Sequence, residues 1–368
     1  MGKLDCMSRL VAIDLFAGGG GLSQGLKQAG FTVSAAVEIE PSACGAYLAN
    51  HPETVLFEKD IKKISGDELI RTSPTGKIDL IAACPPCQGF SSLTSKYRRD
   101  DPRNELIFDF VRLVDEIRPS AVMMENVPGL VNGKGASVFN SAMQSLELIG
   151  YKISYDVLDV ANYGVPQNRR RLVVLGSRDE NIPIPTATHA RVPKNGQQKW
   201  KTVRDAIEDE GDPIPLKLAV SEAESKHNWH VVRNLSPLSV ARLRAVGPGQ
   251  SRSALPIELR PDCHKNSETG FSNVYGRMAW DEPAPTITGG CTTLSKGRFG
   301  HPSKLRTISV REAALLQTFP REYKFNTRHM EKVCKIIGNA LPPLFAEVMA
   351  SACRNSIEKK AYDQLGTS

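Results

Sequence analysis

The sequence predicts an α/β protein, a parallel sheet flanked by helices, with a smaller loop-rich lobe appended to it. Three observations carry this reading. Short apolar runs alternate with amphipathic stretches over the first 176 residues, the pattern of strands buried on both faces and of crossover helices packed on them. A glycine run follows the first apolar run directly. The alternation stops near Ser177, and Pro, Gly and Ser are frequent from there to Lys304.

Each element has a local reason. Residues 10–15 form a continuous apolar strand, and 22–29 the helix after the glycines. Residues 31–37 are a second strand and 41–50 a second helix, opened by Pro41 where a missing N–H costs nothing. Strands at 78–83, 121–124 and 172–176 and helices at 104–117 and 138–149 complete the series. Ser309-Val310-Arg311-Glu312 is a capping box that opens a helix over 313–317, ended by Pro320. A last helix is expected over 339–354. The expected division is 1–176, 177–305, 306–335 and 336–368.

At 368 residues, 40% hydrophobic and 24% charged, the composition is that of a globular chain and excludes disordered, collagenous and membrane classes. No apolar stretch approaches the ~18 residues of a spanning helix, and no signal peptide is read at the N-terminus. Eight cysteines lack framework spacing, which points to reduced thiols and a cytoplasmic protein. The net charge of +7 is concentrated. Between Lys226 and Arg306, twelve Lys and Arg stand against five acids, an excess equal to that of the whole chain. A neutral body with one basic lobe suggests a polyanionic partner.

Cys87 lies in Pro85-Pro86-Cys87-Gln88-Gly89-Phe90-Ser91, and Glu125-Asn126-Val127 ends an apolar run 38 residues later. A cysteine in a rigid turn and a carboxylate from another strand end are what nucleophilic attack on a cytosine ring requires. The thiolate adds to C6, a carboxylic acid at N3 relieves the charge, and C5 becomes nucleophilic. Other readings of Cys84-Pro85-Pro86-Cys87 are a buried small hydrophobe, half a zinc site or a redox pair. No second C-x-x-C completes four ligands, and no metal is expected.

Phe16-Ala17-Gly18-Gly19-Gly20-Gly21 follows the first strand. Glycines let a ligand approach the backbone, and the helix beyond offers free N–H groups. Glu38, about 20 residues on at the end of the second strand, suits ribose hydroxyls. Any nucleoside fits this pattern. Without a phosphate-cradling lysine, a carboxylate-bearing nucleoside fits at least as well as a dinucleotide.

The series Asp14-Leu15-Phe16-Ala17-Gly18, Pro86-Cys87-Gln88, Glu125-Asn126-Val127, Gln167-Asn168-Arg169-Arg170-Arg171, 306–320 and Gly338-Asn339 resembles the DNA C5-cytosine methyltransferases, in the family's order and over nearly the whole chain. The resemblance implies a Rossmann-like S-adenosylmethionine-dependent methyltransferase sheet with a DNA-recognition lobe at 177–305. It implies cofactor contacts from Phe16, Gly18, Gly20, Glu38, Ile39, Asp60, Ile61, Pro86, Leu106 and Asn339, with Ile39 where the family often has an aromatic residue. Cys87 is the implied nucleophile and Glu125 the group that grips N3 and N4. Arg169 is expected near the target base, and Arg171 is expected to be mainly structural. Gln88, Ser91, Arg171, Arg277 and Thr286 are the implied DNA contacts, with Arg277 the expected base reader and Lys265 and Arg298 further candidates.

The implied partner is double-stranded DNA, bound by a monomer that rotates the target cytosine out of the stack. A cognate restriction endonuclease acting separately, and a bacterial, nucleoid-associated location, follow from the same resemblance. Two alternatives are a tRNA cytosine-5 methyltransferase and a catalytically silent DNA-binding relative. The Cys-Phe-Thr tripeptide of the RNA-directed branch is absent from the sequence, and Cys87, Glu125 and Arg169 are all present.

Overall fold

A computed structural model of the chain describes residues 10–86, 102–219, 222–265 and 272–365. It contains two compact units. The first comprises the described residues up to Asp159, Arg170–Thr186 and those from Leu341 on; the second is Val160–Arg169 with Ala187–Ala340. The ten residues before Arg170 thus group with the second unit, and 177–186 stay with the first, because β-pairing carries the chain on to Ser177.

The first unit is built on seven strands: β1 (Val11–Leu15), β2 (Thr32–Glu38), β3 (Val55–Glu58), β4 (Leu80–Ala83), β5 (Ala121–Asn126), β6 (Lys152–Asp159) and β7 (Arg170–Ser177). Their order is β3-β2-β1-β4-β5-β7-β6. The pairings from β3 through β5 are parallel, whereas β7 runs antiparallel to both β5 and β6. The expected parallel sheet is therefore mixed at one end. Strands β3 and β6, which the sequence reading lacks, are the two edges of the sheet. They are only partly covered, and a continuous apolar run marks only strands buried on both faces.

Helices α1 (Gly21–Gln28), α2 (Pro41–Asn50), α3 (Gly66–Ile70), α4 (Leu106–Ile117) and α5 (Ala136–Leu148) connect these strands. Helix α3 is short and was not expected; the capping box of Ser65 and Glu68 opens it. The core brings together Val11, Ile13, Leu15, Ile81, Phe110, Val122, Phe139 and Leu172, all essentially unexposed, each contributing roughly 1.5–3 kcal/mol. A long helix, Pro343–Leu365, joins this unit, and Arg354 Nη1 donates to Ala29 O at 2.9 Å beyond the end of α1.

The single helix expected over 339–354 is replaced by two, one ending at Asn339 and one beginning at Pro343. Pro342 and Pro343 cannot continue a helix. The absence of a spanning stretch also needs correction. Within Met330–Asp363 an 18-residue window has mean hydropathy 1.3, enough by length and composition alone, but 61% of it is buried inside the protein, as in a core helix.

The second unit has little regular structure. Its helices are α6 (Val203–Ile207), α7 (Pro237–Ala245), α8 (Val310–Leu316) and α9 (Met330–Asn339), among two-residue strand pairs and short 3-10 turns. Trp229, Phe299, Phe325, Leu243 and Ile287 form part of its interior. Helix α8 opens with the expected capping box: Glu312 N donates to Ser309 Oγ at 2.9 Å and Ser309 N to Glu312 Oε2 at 2.6 Å. Arg306 pairs with the fully buried Glu312 through two 2.8 Å hydrogen bonds.

Candidate active site

The strand order reverses between β1 and β4, and ligands of open α/β sheets bind outside the carboxyl ends of the strands at such a point. The residues that follow these ends are Phe16 after β1, Glu38 at the end of β2, Cys84 after β4 and Glu125 near the end of β5. Cys84 N donates to Leu15 O at 3.2 Å, so the two central turns leave the sheet side by side.

The turn after β1 is held in left-handed conformations, Phe16 at φ 62°, Gly18 at φ 54° and Gly20 at φ 88°. At Gly18 a side chain would be strained by the backbone alone, although the space where a Cβ would stand is open. Glu38 fixes this loop. Its Oε2 accepts from Gly18 N at 2.7 Å, and its Oε1 accepts from Ile39 N and Glu40 N, each at 2.8 Å. Ile39 beside it is 63% exposed, an apolar surface that a flat ring could cover. Asp60 Oδ1 accepts from Lys62 N at 3.1 Å and caps the turn in which Ile61 is buried. Leu106, at the start of α4, is partly buried against the core, and Pro86 is half-buried.

Asp14 underlies this loop within β1. Ser23 Oγ donates to Asp14 Oδ2 at 2.7 Å and also lies 2.7 Å from Tyr47 Oη. Asp14 Oδ1 has no hydrogen-bond partner among the described residues. Burial pushes the carboxyl up to about 7, against a smaller opposing effect of the Ser23 hydrogen bond. His51 joins the same wall, its Nε2 3.2 Å from Gly20 O and its Nδ1 2.6 Å from Lys27 Nζ. The ammonium can only donate, so Nδ1 accepts and Nε2 carries the proton toward Gly20 O.

Glu125 is 7% exposed and ion-paired with Arg171, Nε to Oε1 at 2.5 Å. Register places the pair: Glu125 faces Val173 across the β5–β7 ladder, two residues from Arg171 on the same face. Burial, then the charges of Glu125 and Asp14, push the Cys84 thiol well above its ordinary value. Asn126 Nδ2 donates to Pro85 O at 3.0 Å and its Oδ1 accepts from Val127 N at 2.8 Å. The Asn126 side chain thereby ties the end of β5 to the Pro85-Pro86 turn. Cys87, Gln88 and Ser91 lie outside the described residues.

In the second unit Arg169 is 2% exposed. It donates to Ile287 O at 2.8 Å, Gly338 O at 3.0 Å and Ala340 O at 3.3 Å. The carboxylate contact belongs to Arg171, expected to be structural, while the described hydrogen bonds of Arg169 go to backbone carbonyls. The sequence signal was the alternation of the pair, but Arg169 precedes the first residue of β7, and the alternation does not extend to it.

Arg277 requires a correction. Its guanidinium is buried and donates to His301 O at 3.1 Å, Lys304 O at 3.3 Å and Leu243 O at 3.5 Å, so it is not extended toward a base. Burial also lowers its pKa. Arg298 is likewise turned inward, donating to Gly249 O at 2.8 Å, and Lys265 pairs with Asp262 at 2.7 Å. Thr286 is exposed, with its hydroxyl donating to Asn168 O at 2.8 Å. Asn339 is exposed at the end of α9. The residues that sequence reasoning missed are Asp14, Ser23, Cys84 and Asn126. Of these, Asp14 and Asn126 carried a signal as members of the motifs quoted for the resemblance, and Cys84 as the first cysteine of Cys84-Pro85-Pro86-Cys87, though in a different role; Ser23 carried none.

The chain is similar to known proteins over nearly its whole length. Residues 10–355 match the family model described as C-5 cytosine-specific DNA methylase. The chain is 39% identical to the Type II methylase M.HgiDII of Herpetosiphon aurantiacus over 94% of its own length and 95% of the relative's. It is 35% identical to the Type II methyltransferase M1.HphI of Haemophilus parahaemolyticus, covering 94% and 87%. A solved prophage-encoded E. coli protein, described as a DNA modification methyltransferase, superposes with TM-score 0.71 at 26% identity, over 95% of this chain and 99% of that one. Spodoptera frugiperda DNMT2, at 18% identity and TM-score 0.62 over 93% and 99%, shares the fold. With a family match over residues 10–355, the chain belongs to the C-5 cytosine-specific DNA methylases.

Proposed function

We propose that the enzyme methylates C5 of a cytosine in a defined duplex sequence by adding Cys87 to C6 of a base rotated out of the stack. The observation that carries this reading is Glu125, held by Arg171 at the end of β5 and tied through Asn126 to the turn that precedes Cys87. In this chemistry the Cys87 Sγ–C6 bond forms as Glu125 serves N3, and the electron pair at C5 takes the methyl group. Loss of the C5 proton and cleavage of the Sγ–C6 bond then release the product and return the thiolate.

The residues of the strand-end crevice fit the family's methyl donor, S-adenosyl-L-methionine, which supplies an electrophilic methyl group when bound. The Gly18 loop leaves open space, Glu38 offers a carboxylate fixed by three N–H groups, and Ile39 offers exposed apolar surface. Phe16, Gly18, Gly20, Glu38, Ile39, Asp60, Ile61, Pro86 and Leu106 of the first unit would hold it. Thr286 is assigned to the DNA backbone. Relatives named as Type II methylases support a separate endonuclease that cuts the same site.

The test is transfer of labelled methyl from S-adenosyl-L-methionine to plasmid DNA and to tRNA. Plasmid labelling is expected, and Cys87→Ser should lower it by several orders of magnitude, because a hydroxyl is far less ionised than a thiol at neutral pH. In DNA carrying 5-fluorocytosine at the target site, a covalent complex should form through Cys87. Labelling of tRNA alone, or a serine variant of normal rate, would overturn the assignment. No labelling of either would favour the silent DNA-binding reading.

A further inference from the structure

One buried histidine ties the glycine loop of the first unit to two helices. His51 ends α2 and is fully buried. Its N–H donates to Tyr47 O at 2.9 Å and its O accepts from Thr54 N at 3.1 Å, so its backbone is fixed. Its ring packs on that of Tyr47, with centroids 4.8 Å apart. Lys27 Nζ, in the last turn of α1, lies 2.6 Å from Nδ1, and Gly20 O lies 3.2 Å from Nε2. Glu53 pairs with the same ammonium. Burial, then the charge of Lys27, pushes the imidazole down to about 4, so the ring is neutral. With Nδ1 taken as an acceptor, the single ring proton sits on Nε2 and points at Gly20 O.

Gly20 is where the loop becomes a helix. Its N–H donates to Ala17 O and its O accepts from Gln24 N, each at 2.9 Å, while its φ of 88° is left-handed. Gly20 O therefore takes two donors, one from α1 itself and one from His51. A peptide unit is planar and trans, so fixing Gly20 O fixes Gly21 N–H, which points the opposite way, out of the helix N-terminus. Helix α1 is seated too closely to shift instead: a Cβ on Gly25 would stand 2.5 Å from both Ala346 Cβ and Pro343 O. The loop is thus held at both ends, at Gly18 N by Glu38 and at Gly20 O by His51. Glu38 is half-buried and can meet a ligand, whereas the unexposed His51 acts through Gly20.

We propose that His51 is a positioning residue for the methyl donor: held by Lys27 in one tautomer, it sets the Gly20–Gly21 peptide and with it the shape of the loop that receives S-adenosyl-L-methionine. This rests on the assignment of that loop to the cofactor. Loss of the His51 donor leaves a buried carbonyl one partner short and frees the peptide to tilt, worth about tenfold in affinity. The effect falls on binding rather than on the chemical step, because the loop holds the donor and takes no proton.

The test uses the full-length protein and S-adenosylhomocysteine as the probe. Its dissociation constant is measured for wild type, His51→Phe, His51→Gln and Lys27→Met, and kcat and the KM for S-adenosyl-L-methionine are measured on plasmid DNA. His51→Phe keeps a ring and loses the donor; it should weaken probe binding and raise KM about tenfold, with kcat within about threefold. His51→Gln can place an N–H where Nε2 stood, and should return both constants to within about threefold of wild type. Lys27→Met frees the ring proton to move to Nδ1, and should weaken probe binding about threefold. As a control, Tyr151→Phe removes a buried hydroxyl that donates to Pro119 O at 2.7 Å; it should lower the melting temperature and leave both constants unchanged. Unchanged probe affinity in His51→Phe, or equal weakening in His51→Phe and His51→Gln, would overturn the positioning role. If His51→Phe does not fold, Lys27→Met decides, and wild-type affinity there overturns it. Absence of probe binding by the wild type would instead overturn the cofactor assignment beneath it.

Discussion

Arg171 Nε stands 2.5 Å from Glu125 Oε1, with both side chains largely shielded from water. The contact sets the carboxylate's direction, because Arg171 is fixed in β7 two residues from Val173, the cross-strand partner of Glu125. Burial lowers the arginine's pKa against the raising effect of Glu125, so the cation depends on its partner.

Removing one member of a buried pair leaves the other charge uncompensated, at about 3–5 kcal/mol, whereas replacing both by apolar groups is often neutral. Glu125→Gln should therefore lose methyl transfer and also melt earlier. Adding Arg171→Met should recover most of the melting temperature but none of the activity. Thermal melts and labelled transfer on the two variants check this. Recovery of activity in the double variant would mean that Glu125 serves only to neutralise Arg171.

Glu38 bears on cofactor affinity by a different route. Its carboxylate holds three N–H groups of the loop and strand end, and hydrogen bonds to a charged group contribute about 1.5–3 kcal/mol each. Glu38→Ala should weaken S-adenosylhomocysteine binding at least tenfold, about 1.4 kcal/mol, with DNA affinity unchanged. Titration of each ligand decides it; an unaltered probe affinity would move the nucleoside site elsewhere.

Asp14 makes stability depend on pH. Burial raises its folded-state pKa from 3.8 to about 7, so folding favours the protonated acid. The cost of ionising it is absent below about pH 4, builds as pH rises, and is complete above about pH 7, on the order of 4 kcal/mol. Asp14→Asn removes that dependence. Its melting temperature relative to wild type should rise between pH 5 and pH 8 in the cofactor-free protein. Parallel profiles would show that Asp14 is ionised at little cost.

Much of the first unit was legible because its central strands are apolar on both faces. Val11–Leu15 and Leu80–Ala83 are buried throughout, and the motifs at their ends could be placed directly. The edges were not legible: Val55–Glu58 and Lys152–Asp159 leave side chains in water and read as loops. The basic lobe was legible as an excess of charge, not residue by residue. Arg252 and Arg277 are buried, Arg306 pairs with Glu312, and Arg233 with Glu331. Of these, Arg252, Arg277 and Arg306 serve the interior of that unit, while the Arg233–Glu331 pair lies at its surface. A long guanidinium beside glycines reads the same whether it turns inward or outward, and only tertiary contacts decide.

Arg277 is where that distinction can be measured. Its main chain bridges Pro248 and Gly300, and its guanidinium satisfies three carbonyls. Arg277→Ala strands those acceptors and leaves a cavity, a loss of about 2–4 kcal/mol by the mechanisms behind large single-site effects. The melting temperature should fall by several degrees. The methylated sequence should not change, since a residue that does not reach a base edge cannot relax recognition there. Methylation-sensitive sequencing of DNA from a host expressing the variant, at a temperature where it remains folded, gives the motif; calorimetry gives the stability. A relaxed motif with an unchanged melting temperature would return Arg277 to the DNA interface and require its side chain to swing out when DNA binds.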